Sequence, residues 1–497
     1  MASLWIAIAL IVLFFLLQEL MLKKKKLPPG PRGFPILGNL HMVSDNLHQD
    51  LYKIAKKYGP IMTIRFGLVP VIVASSPHAA EQFLKNHDST FASRPYHEVS
   101  QYIFYEQRNL VSAKYGPYWR NMRKLCTLQL LSNAKIHQFQ PMRKQEVGIL
   151  VNFLRHAASE GTVIDLSAKV ASLSANMSCL MIFGKKYMDE DLGEKGFKAL
   201  IQDILHLAAL PNVAEFFPFL RVLDLQGFSH RMKELAQLFD GLLERVVDEH
   251  VVVQSTEQQK QATDMVDTLM GIMQSKEAEF EFDRRHVKAV LLDLLIASTD
   301  TSSTTIEWIL TELLRHPDVM KKLQCELEQV VGKNRMVEEL DFENLQYLDM
   351  VIKESCRLHP VAPLLIPHES IEDCVIDGFH IPKGSRLLVN VWAIGRDSDT
   401  WLEPEKFKPE RFQGSNIDLG GQNFQLLPFG SGRRSCPGLQ LGLTIVRLVV
   451  AQLIHCFDWE LPNGMLPEHI DMTEKFGLVT ARAQHLMAIP TYRLHMK

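Results

Sequence analysis

The stretch PFGSGRRSCPG, residues 428–438, surrounds one cysteine with three glycines, two prolines and two arginines. Pro437 and Gly438 lead into the apolar segment LQLGLTIVRLVVAQL, and a proline at an early position is typical of a helix start. Backbone N–H groups at a helix start stabilise a thiolate. Because no second cysteine is near Cys436 in the sequence, the stretch predicts a thiolate held against a metal rather than a disulfide.

The whole chain has the composition of an ordinary globular protein. Its 497 residues are enough to bury a large core, and 46% of them are hydrophobic. The net charge is −3, from 54 basic and 57 acidic residues, which gives no overall attraction to nucleic acid. The seven cysteines include no C-x-x-C pair. This argues against a zinc module, a redox dithiol or a secreted disulfide framework, and it predicts a reducing compartment.

The N-terminal segment predicts a membrane anchor. Residues 4–17 are all apolar, and Lys23–Lys26 follow a few positions later. About 20 helical residues span about 30 Å, enough to cross a bilayer core. A cleaved signal peptide is the alternative, but its positive charge would precede the apolar stretch. Lysines on the C-terminal flank favour a cytosolic position for the rest of the chain. We therefore expect a transmembrane anchor at 1–22, a basic and Pro/Gly-rich linker at 23–40 and one large domain at 41–497.

The large domain is expected to be mainly α-helical with small β-sheets (α+β). Alternating residues near 60–76 predict a hairpin, and 374–391 predicts further strands around the turn Asp377-Gly378. The pattern at about 115–360 is mostly helical, and a helix at about 438–455 precedes a short strand-like ending. Four residues mark breaks in the helical part: Gly161, Pro211, Pro218 and Pro317.

The spacing of five residues in the opening stretch gives the pattern F-x-x-G-x-R-x-C-x-G: Phe429, Gly432, Arg434, Cys436 and Gly438. This pattern resembles the haem-binding loop of the cytochrome P-450 family. The resemblance implies that the cysteine is the axial ligand of the haem iron and that all five residues contact the cofactor. FASRP, YGPYWRNMRK and LHPVAPLLIPHES make the chain similar to the plant microsomal type, the 71 clan of specialised metabolism.

A second segment, residues 287–314, is a long apolar helical pattern with a polar island at 298–305. From the residues alone, the island ends one helix and begins another. Thr304 and Glu307 would then form a capping box at the start of the second helix.

The resemblance gives the same island a catalytic function. It implies that ASTDT, residues 297–301, is the oxygen-activation segment of a helix that crosses the haem face. Asp300 and Thr301 would act as an acid–alcohol pair that organises water and relays protons into a dry pocket. The family usually has glycine where this chain has Ser298, so the effect of that hydroxyl on the oxygen side stays open.

Three further residues are expected to hold the fold behind the haem. Glu354 and Arg357 share a helix face, a spacing that by itself indicates only surface decoration of small value. The resemblance adds Arg411, from the segment FKPERF, and implies a structural network without a catalytic role.

The segment YWRNMRK, residues 118–124, indicates from its residues alone a solvated basic helix face. The resemblance implies that Trp119 and Arg123 contact the haem propionates from one side. It also implies that His368 contacts a propionate from the other side, where the anion would favour the imidazolium.

Substrate contacts in this family come from variable segments and are predicted here by position. Nearly all the candidates are apolar, as a pocket that binds a lipophilic scaffold requires, although the same residue types also line ordinary cores. The candidates are Tyr102, Phe104, Leu210, Ala297, Val361, Leu365, Phe476 and Leu478.

The resemblance implies a monooxygenase that inserts one oxygen atom from O2 into a lipophilic plant metabolite of terpenoid, aromatic or phenylpropanoid type. It implies thiolate-ligated haem b, electrons from NADPH through NADPH–cytochrome P-450 reductase, cytochrome b5 as an optional partner, and an endoplasmic reticulum membrane location with a cytosolic catalytic domain. Two alternatives are a haem-thiolate isomerase or dehydratase that needs no O2, and a non-catalytic membrane haem protein. The intact Asp300-Thr301 pair argues against the first alternative.

Overall fold

The computed structural model describes residues 26–186, 197–256, 264–275 and 278–495. The predicted anchor at 1–22 lies outside this part of the chain. Most of the described chain is α-helical, as the sequence predicts. The helices are α1 (Leu47–Tyr58), α2 (Pro77–Glu81), α3 (Asp88–Phe91), α4 (Glu98–Tyr102), α5 (Pro117–Leu125), α6 (Asn133–Gln138), α7 (Gln140–Glu160), α8 (Leu166–Phe183), α9 (Phe197–Ala209), α10 (Val213–Phe216), α11 (Phe228–Thr256), α12 (Met265–Ser275), α13 (Arg284–Arg315), α14 (Pro317–Val331), α15 (Gln346–Leu358), α16 (Val391–Ile394) and α17 (Leu439–Cys456).

Small β-sheets accompany the helices. The strands are β1 (Ile61–Phe66), β2 (Val69–Ala74), β3 (Ile164–Asp165), β4 (His368–Glu369), β5 (Cys374–Ile376), β6 (Phe379–Ile381), β7 (Arg386–Val389), β8 (Phe457–Glu460) and β9 (Met487–Tyr492). One sheet has the order β1-β2-β7-β4, a second has the order β3-β9-β8, and β5 pairs with β6.

Both hairpins that the sequence predicts are confirmed. β1 and β2 are antiparallel, with Ile61 opposite Ala74, and β5 and β6 are antiparallel around Asp377-Gly378. Asp377 and Gly378 have φ values of 49° and 75°, as a tight two-residue hairpin turn requires. Beyond its hairpin, β2 runs parallel to β7, which brings a distant part of the chain into the same sheet.

α13 is a single helix of 32 residues whose N-terminus is closed by a capping box between Asp283 and His286. The interpretation that the polar island at 298–305 ends one helix and begins another is therefore wrong. Hydroxyl groups of the island donate to carbonyls of their own helix; for example, Thr299 Oγ1 donates to the carbonyl of Leu295 at 2.7 Å. The polar side chains are thus satisfied without a break in the helix.

The core of the molecule is built around α13, which packs against α8 and α17. α8 and α17 are long and apolar enough to cross a membrane, but 61% and 72% of their residues are buried inside the protein. Such burial is typical of core helices. Because the loop that contains Cys436 leads directly into α17, this packing places the loop next to the middle of α13.

The described part of the predicted linker lies against the sheet. The carbonyl of Pro29 accepts the N–H of Thr63 at 2.8 Å, and the N–H of Asn39 donates to the carbonyl of Arg65 at 2.6 Å. Gly30 is required for this close approach, because a Cβ there would lie 1.8 Å from the carbonyl oxygen of Thr63. The segment is therefore part of the surface of the folded domain.

Glu354 and Arg357 form a fully buried ion pair on α15, which Arg411 joins. Glu354 Oε2 lies 2.7 Å from Arg357 Nε, and Glu354 Oε1 accepts from Arg411 Nε at 2.9 Å. Arg357 also donates to three backbone carbonyls, those of Gly395, Pro404 and Lys406. The network ties α15 to the segments that precede the Cys436 loop, which is the arrangement that the predicted structural role needs.

We expect Glu354→Gln to lower the free energy of unfolding by about 3–5 kcal/mol, because it leaves two buried guanidinium groups without a counter-ion. Asp349→Asn is the matched control: Asp349 forms a two-bonded pair with Arg447, but both side chains are partly exposed. Asp349→Asn should lower the free energy of unfolding by less than about 1 kcal/mol. Equal losses in urea-unfolding measurements would contradict the structural role.

Candidate functional site

One cavity of about 330 Å³ is bordered by α13, by α17 and by the loop that contains Cys436. Small-molecule sites commonly have volumes of about 300–1,000 Å³. The lining is mostly apolar, and its polar groups are concentrated in the Cys436 loop, in a cluster of arginines and along α13.

The Cys436 side chain reaches the cavity just before α17 begins. The N–H of Cys436 donates to the carbonyl of Phe429 at 2.9 Å and closes the loop, while a Cβ at Gly438 would lie 3.9 Å from the sulfur. The exposed surface of Cys436 faces the cavity, although protein atoms enclose the residue. Burial raises the pKa of the Cys436 thiol, and the N–H of Gly438 and the charge of Arg123 lower it. Burial outweighs these two effects in the protein alone, so the predicted thiolate depends on the bound metal and stays a prediction.

Three guanidinium groups border the cavity: those of Arg94, Arg123 and Arg434. Arg434 Nε donates to the carbonyl of Ala92 at 2.6 Å, and the guanidinium lies 4.1 Å from the ring centre of Trp119. Arg94 Nη1 donates to the carbonyls of Ile366 and Pro367 at 2.6 and 2.9 Å. Among the residues that the structure describes, no carboxylate pairs with any of the three arginines.

This arginine cluster fits a cofactor with carboxylate groups. Burial is the main cause that lowers the pKa of Arg94 to about 9 and that of Arg434 to about 8, so each charge lacks compensation. A carboxylate in the cavity would supply that compensation and form charge-assisted hydrogen bonds. Gly432 allows the loop to pack closely, because a Cβ there would lie 2.3 Å from the carbonyl oxygen of Leu84. The donors present therefore suit haem: the arginines would pair with its propionates, and the sulfur would bind its iron.

Trp119 and His368 both border the cavity, but each already has a backbone partner. Trp119 Nε1 donates to the carbonyl of Leu110 at 3.0 Å, and His368 Nδ1 donates to the carbonyl of Phe91 at 2.8 Å. Their contacts with a propionate stay predictions. Burial, together with Arg94, lowers the pKa of His368 well below its usual value. The protein groups alone thus favour the neutral ring, and the imidazolium expected beside a propionate stays a prediction.

Of the predicted acid–alcohol pair, Thr301 borders the cavity and Asp300 does not. Thr301 borders it together with Ala297 and Ser298, and Thr301 Oγ1 donates to the carbonyl of Ala297 at 2.6 Å. Asp300 does not border the cavity, since a helix of 3.6 residues per turn places it on a neighbouring face. The structure thus brings the hydroxyl of the predicted pair, but not its carboxylate, to the cavity surface.

Three of the eight predicted substrate residues border the cavity: Ala297, Val361 and Leu365. The other five do not border it, and their contacts with a substrate stay predictions: Tyr102, Phe104, Leu210, Phe476 and Leu478. The first three of these pack against the hydrophobic core, and Leu478 is 39% exposed to solvent. The positions of these five residues depend on the tertiary arrangement of the chain around the cavity. Their spacing in the sequence does not determine that arrangement.

Two charged residues of the cavity were not predicted. Arg94 is part of the motif FASRP, which supported the family resemblance but was not assigned a role at the site. Asp293 is the one charged residue in the run AVLLDLLIA, and an ionisable group isolated in an apolar helix is a signal that could have identified it. Its carboxylate accepts three N–H groups and borders the cavity.

A cavity that has the Cys436 thiol at a helix start and an uncompensated arginine cluster has the features of a haem-thiolate protein. The sequence profile described as cytochrome P450 matches residues 28–487. A cytochrome P-450 from Panax ginseng, CYP736A12, is 51% identical over 94% of both chains. A flavonoid 3'-monooxygenase from Crocosmia x crocosmiiflora is 40% identical over 99% of this chain and 98% of its own. A 3,9-dihydroxypterocarpan 6A-monooxygenase from Glycine max is 39% identical over 95% and 94%.

The chain belongs to the cytochrome P-450 family. It is a monooxygenase that uses thiolate-ligated haem, takes electrons from NADPH through a reductase and acts on a small molecule. The monooxygenase interpretation is thus confirmed over the two alternatives of the sequence analysis.

We expect Arg434→Gln to accelerate haem loss to apomyoglobin by about tenfold or more, because a charge-assisted hydrogen bond to a propionate is removed. Arg433→Gln is the matched control. Arg433 is the preceding residue, but its guanidinium points to Asp88, 2.7 Å away, and is half exposed. Similar haem-loss rates for the two variants would show that Arg434 does not hold the cofactor.

Proposed function

We propose that the protein hydroxylates a lipophilic plant metabolite and that Cys436 is the thiolate ligand of its haem. The observation that carries the proposal is that Cys436 and the hydroxyl-bearing face of α13 border the same, mostly apolar, cavity. When bound, haem with a thiolate ligand supplies the cleavage of dioxygen. The protein residues then have three tasks: they hold the cofactor, exclude water and deliver protons.

The substrate we infer is an aromatic compound of phenylpropanoid type, with terpenoids as the second class. The apolar lining favours any lipophilic scaffold, since burial of apolar surface provides most of the binding free energy. Named relatives act on flavonoids and on a pterocarpan, both of which are aromatic. Val361 and Leu365 border the cavity on the side of the loop after α15 and are proposed to contact this scaffold.

The proton-delivery task is assigned to Thr301. Its hydroxyl proton is now donated to the carbonyl of Ala297, one turn earlier on α13. A rotation about χ1 would direct the same O–H to a water in the cavity, so that Thr301 can pass a proton inward and receive another. Asp300, on the neighbouring face, is proposed to supply protons from the side away from the cavity.

The test is turnover by the full-length protein in lipid with NADPH–cytochrome P-450 reductase. For at least one compound in a panel of flavonoids, pterocarpans and terpenoids, we expect substrate-dependent NADPH consumption and a product that contains one additional oxygen atom. Cys436→Ser should abolish both turnover and the thiolate-type spectrum of the reduced carbon monoxide complex. Cys356→Ser, which alters another thiol of the cavity, should keep both. No turnover with any panel member would overturn the substrate proposal, and a thiolate-type spectrum in Cys436→Ser would overturn the ligand assignment.

We expect Thr301→Ala to bind haem normally but to yield about tenfold less product per NADPH, with the electrons diverted to peroxide, because general acid groups contribute factors of this size or more. Thr299→Ala is the matched control. Thr299 makes the same kind of bond to its helix, 2.7 Å long, but is buried and does not border the cavity. Unchanged coupling in Thr301→Ala would refute the relay.

We also propose the endoplasmic reticulum membrane as the location, with residues 1–22 as anchor and cytochrome b5 as an optional electron donor. An exposed apolar surface supports membrane contact: Phe219, Val222, Leu223 and Leu225 are 65%, 92%, 62% and 64% exposed. Phe34 and Leu37, close to the anchor, are 55% and 53% exposed. The β1–β2 turn joins the two groups, since the N–H of Gly67 donates to Leu37 and that of Leu68 donates to Phe216.

We expect liposomes to protect amides 218–225 of the full-length protein from hydrogen exchange, and Val222→Asp with Leu223→Asp to remove this protection, because charges resist transfer into lipid. Leu340→Asp with Leu402→Asp is the control, since both leucines are 80% exposed elsewhere on the surface. Protection that survives the first pair of substitutions would exclude this surface from the membrane contact.

A further inference from the structure

A buried carboxylate on α13 holds the chain segment that follows α4. Asp293 Oδ2 accepts the N–H of Leu110 at 2.6 Å and that of Val111 at 3.2 Å, and Asp293 Oδ1 accepts from Asn109 Nδ2 at 2.7 Å. Asp293 is 7% exposed. Burial raises the pKa of Asp293 to about 7, and its three N–H partners lower it. The mechanism proposed above gives this group no role.

The other side of the same segment contacts the arginine cluster. The carbonyl of Leu110 accepts from Trp119 Nε1 at 3.0 Å and from Arg434 Nη1 at 3.2 Å. The carbonyl of Val111 accepts from Arg94 Nε at 3.2 Å. The peptide group between Leu110 and Val111 is therefore fixed at both ends, with its N–H on α13 and its C=O on the arginine cluster.

A peptide group is planar, so a partner that fixes its N–H also fixes the direction of its C=O. Loss of the Asp293 bond would let this plane rotate, which would remove the acceptor that orients Arg434 and Trp119. The side chains of Leu110 and Val111 also border the cavity, so the same rotation would change its wall.

Backbone strain next to the segment gives a second, independent reason for an anchor. Tyr105, Glu106 and Gln107 have φ values of 49°, 61° and 63°, three successive left-handed residues that are not glycine. This backbone conformation is unfavourable for residues that carry a Cβ atom. Tyr105 is held by a 2.7 Å bond from its hydroxyl to Asp240, and the far end of the segment is held by Asp293.

We propose that Asp293 is a positioning residue that fixes the Leu110–Val111 peptide group, and that it thereby sets both the shape of the cavity wall and the orientation of the arginines that hold the haem propionates. The proposal depends on the haem cofactor and on no particular substrate. A failed substrate screen would leave it intact.

The hydrogen bonds allow a reciprocal exchange of side chains as the test. In Asp293→Asn, the amide oxygen can still accept both backbone N–H groups, but its NH2 then faces the NH2 of Asn109. In the double variant with Asn109→Asp as well, the carboxylate at 109 accepts from the amide at 293. Its second oxygen keeps the bond from the Ser112 hydroxyl that Asn109 Oδ1 accepts now. Every hydrogen bond is restored, and only the position of the charge changes.

Two measurements follow the peptide group and the cavity wall. For Asp293→Asn we expect the amides of Leu110 and Val111 to exchange with deuterium about tenfold faster in the haem-loaded protein. We expect the spectroscopic Kd of 4-phenylimidazole, whose phenyl ring needs the cavity, to rise about tenfold, while the Kd of imidazole changes less than about twofold. In the double variant both quantities should return to within about twofold of the unaltered protein.

Glu307→Gln is the matched control, because Glu307 is a buried carboxylate of the same helix that accepts from Ser167 and does not border the cavity. It should leave both measurements unchanged even if it lowers stability. The proposal is overturned if Asp293→Asn keeps the amide protection and the ligand affinity, or if the double variant recovers neither. If Asp293→Asn takes up no haem, haem uptake by the double variant supports the proposal. A double variant that also takes up no haem refutes it.

Discussion

The placement of three guanidinium groups around one cavity is the constraint on which the rest of the site depends. Arg94 is buried, and Arg123 and Arg434 are partly buried. The described residues offer them carbonyl oxygens, a hydroxyl and an indole face in place of carboxylates. An uncompensated buried charge is costly. The carboxylates of a bound haem would supply the missing negative charge, so we expect cofactor binding to stabilise the fold as well as to complete the site.

The backbone, more than side-chain pairing, connects this cluster to the helix that carries the proposed proton donor. Segment 109–113 provides carbonyls to two of the arginines and N–H groups to Asp293 on α13. α13 and the Cys436 loop are thereby held at a fixed separation on either side of the cavity. Glu354, Arg357 and Arg411 perform a comparable task behind the loop, where a buried ion pair fixes segments that have no regular secondary structure.

Local features of the fold could be predicted because local interactions determine them. The turn at Asp377-Gly378, the helix after Gly438 and the break at Pro317 each follow from the conformational preferences of a few residues. The loop pattern around Cys436 also identified four residues that border the cavity, Phe429, Arg434, Cys436 and Gly438. The fifth, Gly432, packs against Leu84 instead and does not border it. In contrast, the positions of the five substrate candidates outside the cavity lining depend on contacts between distant segments of the chain. The lowered pKa of His368 could not be predicted either, because its causes are burial and Arg94, which lies in another part of the chain.

Ser298 shows how one departure from the family pattern fits an unbroken helix. The carbonyl of Ser298 accepts the hydroxyl of Ser174 on α8 at 3.0 Å, so a neighbouring helix supports α13 at this position. Ser298 borders the cavity together with Thr301, Ser302 and Thr305, positions that share one helix face. A hydroxyl in place of glycine therefore extends a polar stripe along the α13 wall of the cavity. The arginine cluster and the Cys436 loop are the other polar regions of the lining. On the α13 wall, the stripe supplies the hydroxyl groups to which water and a polar substrate group can bind.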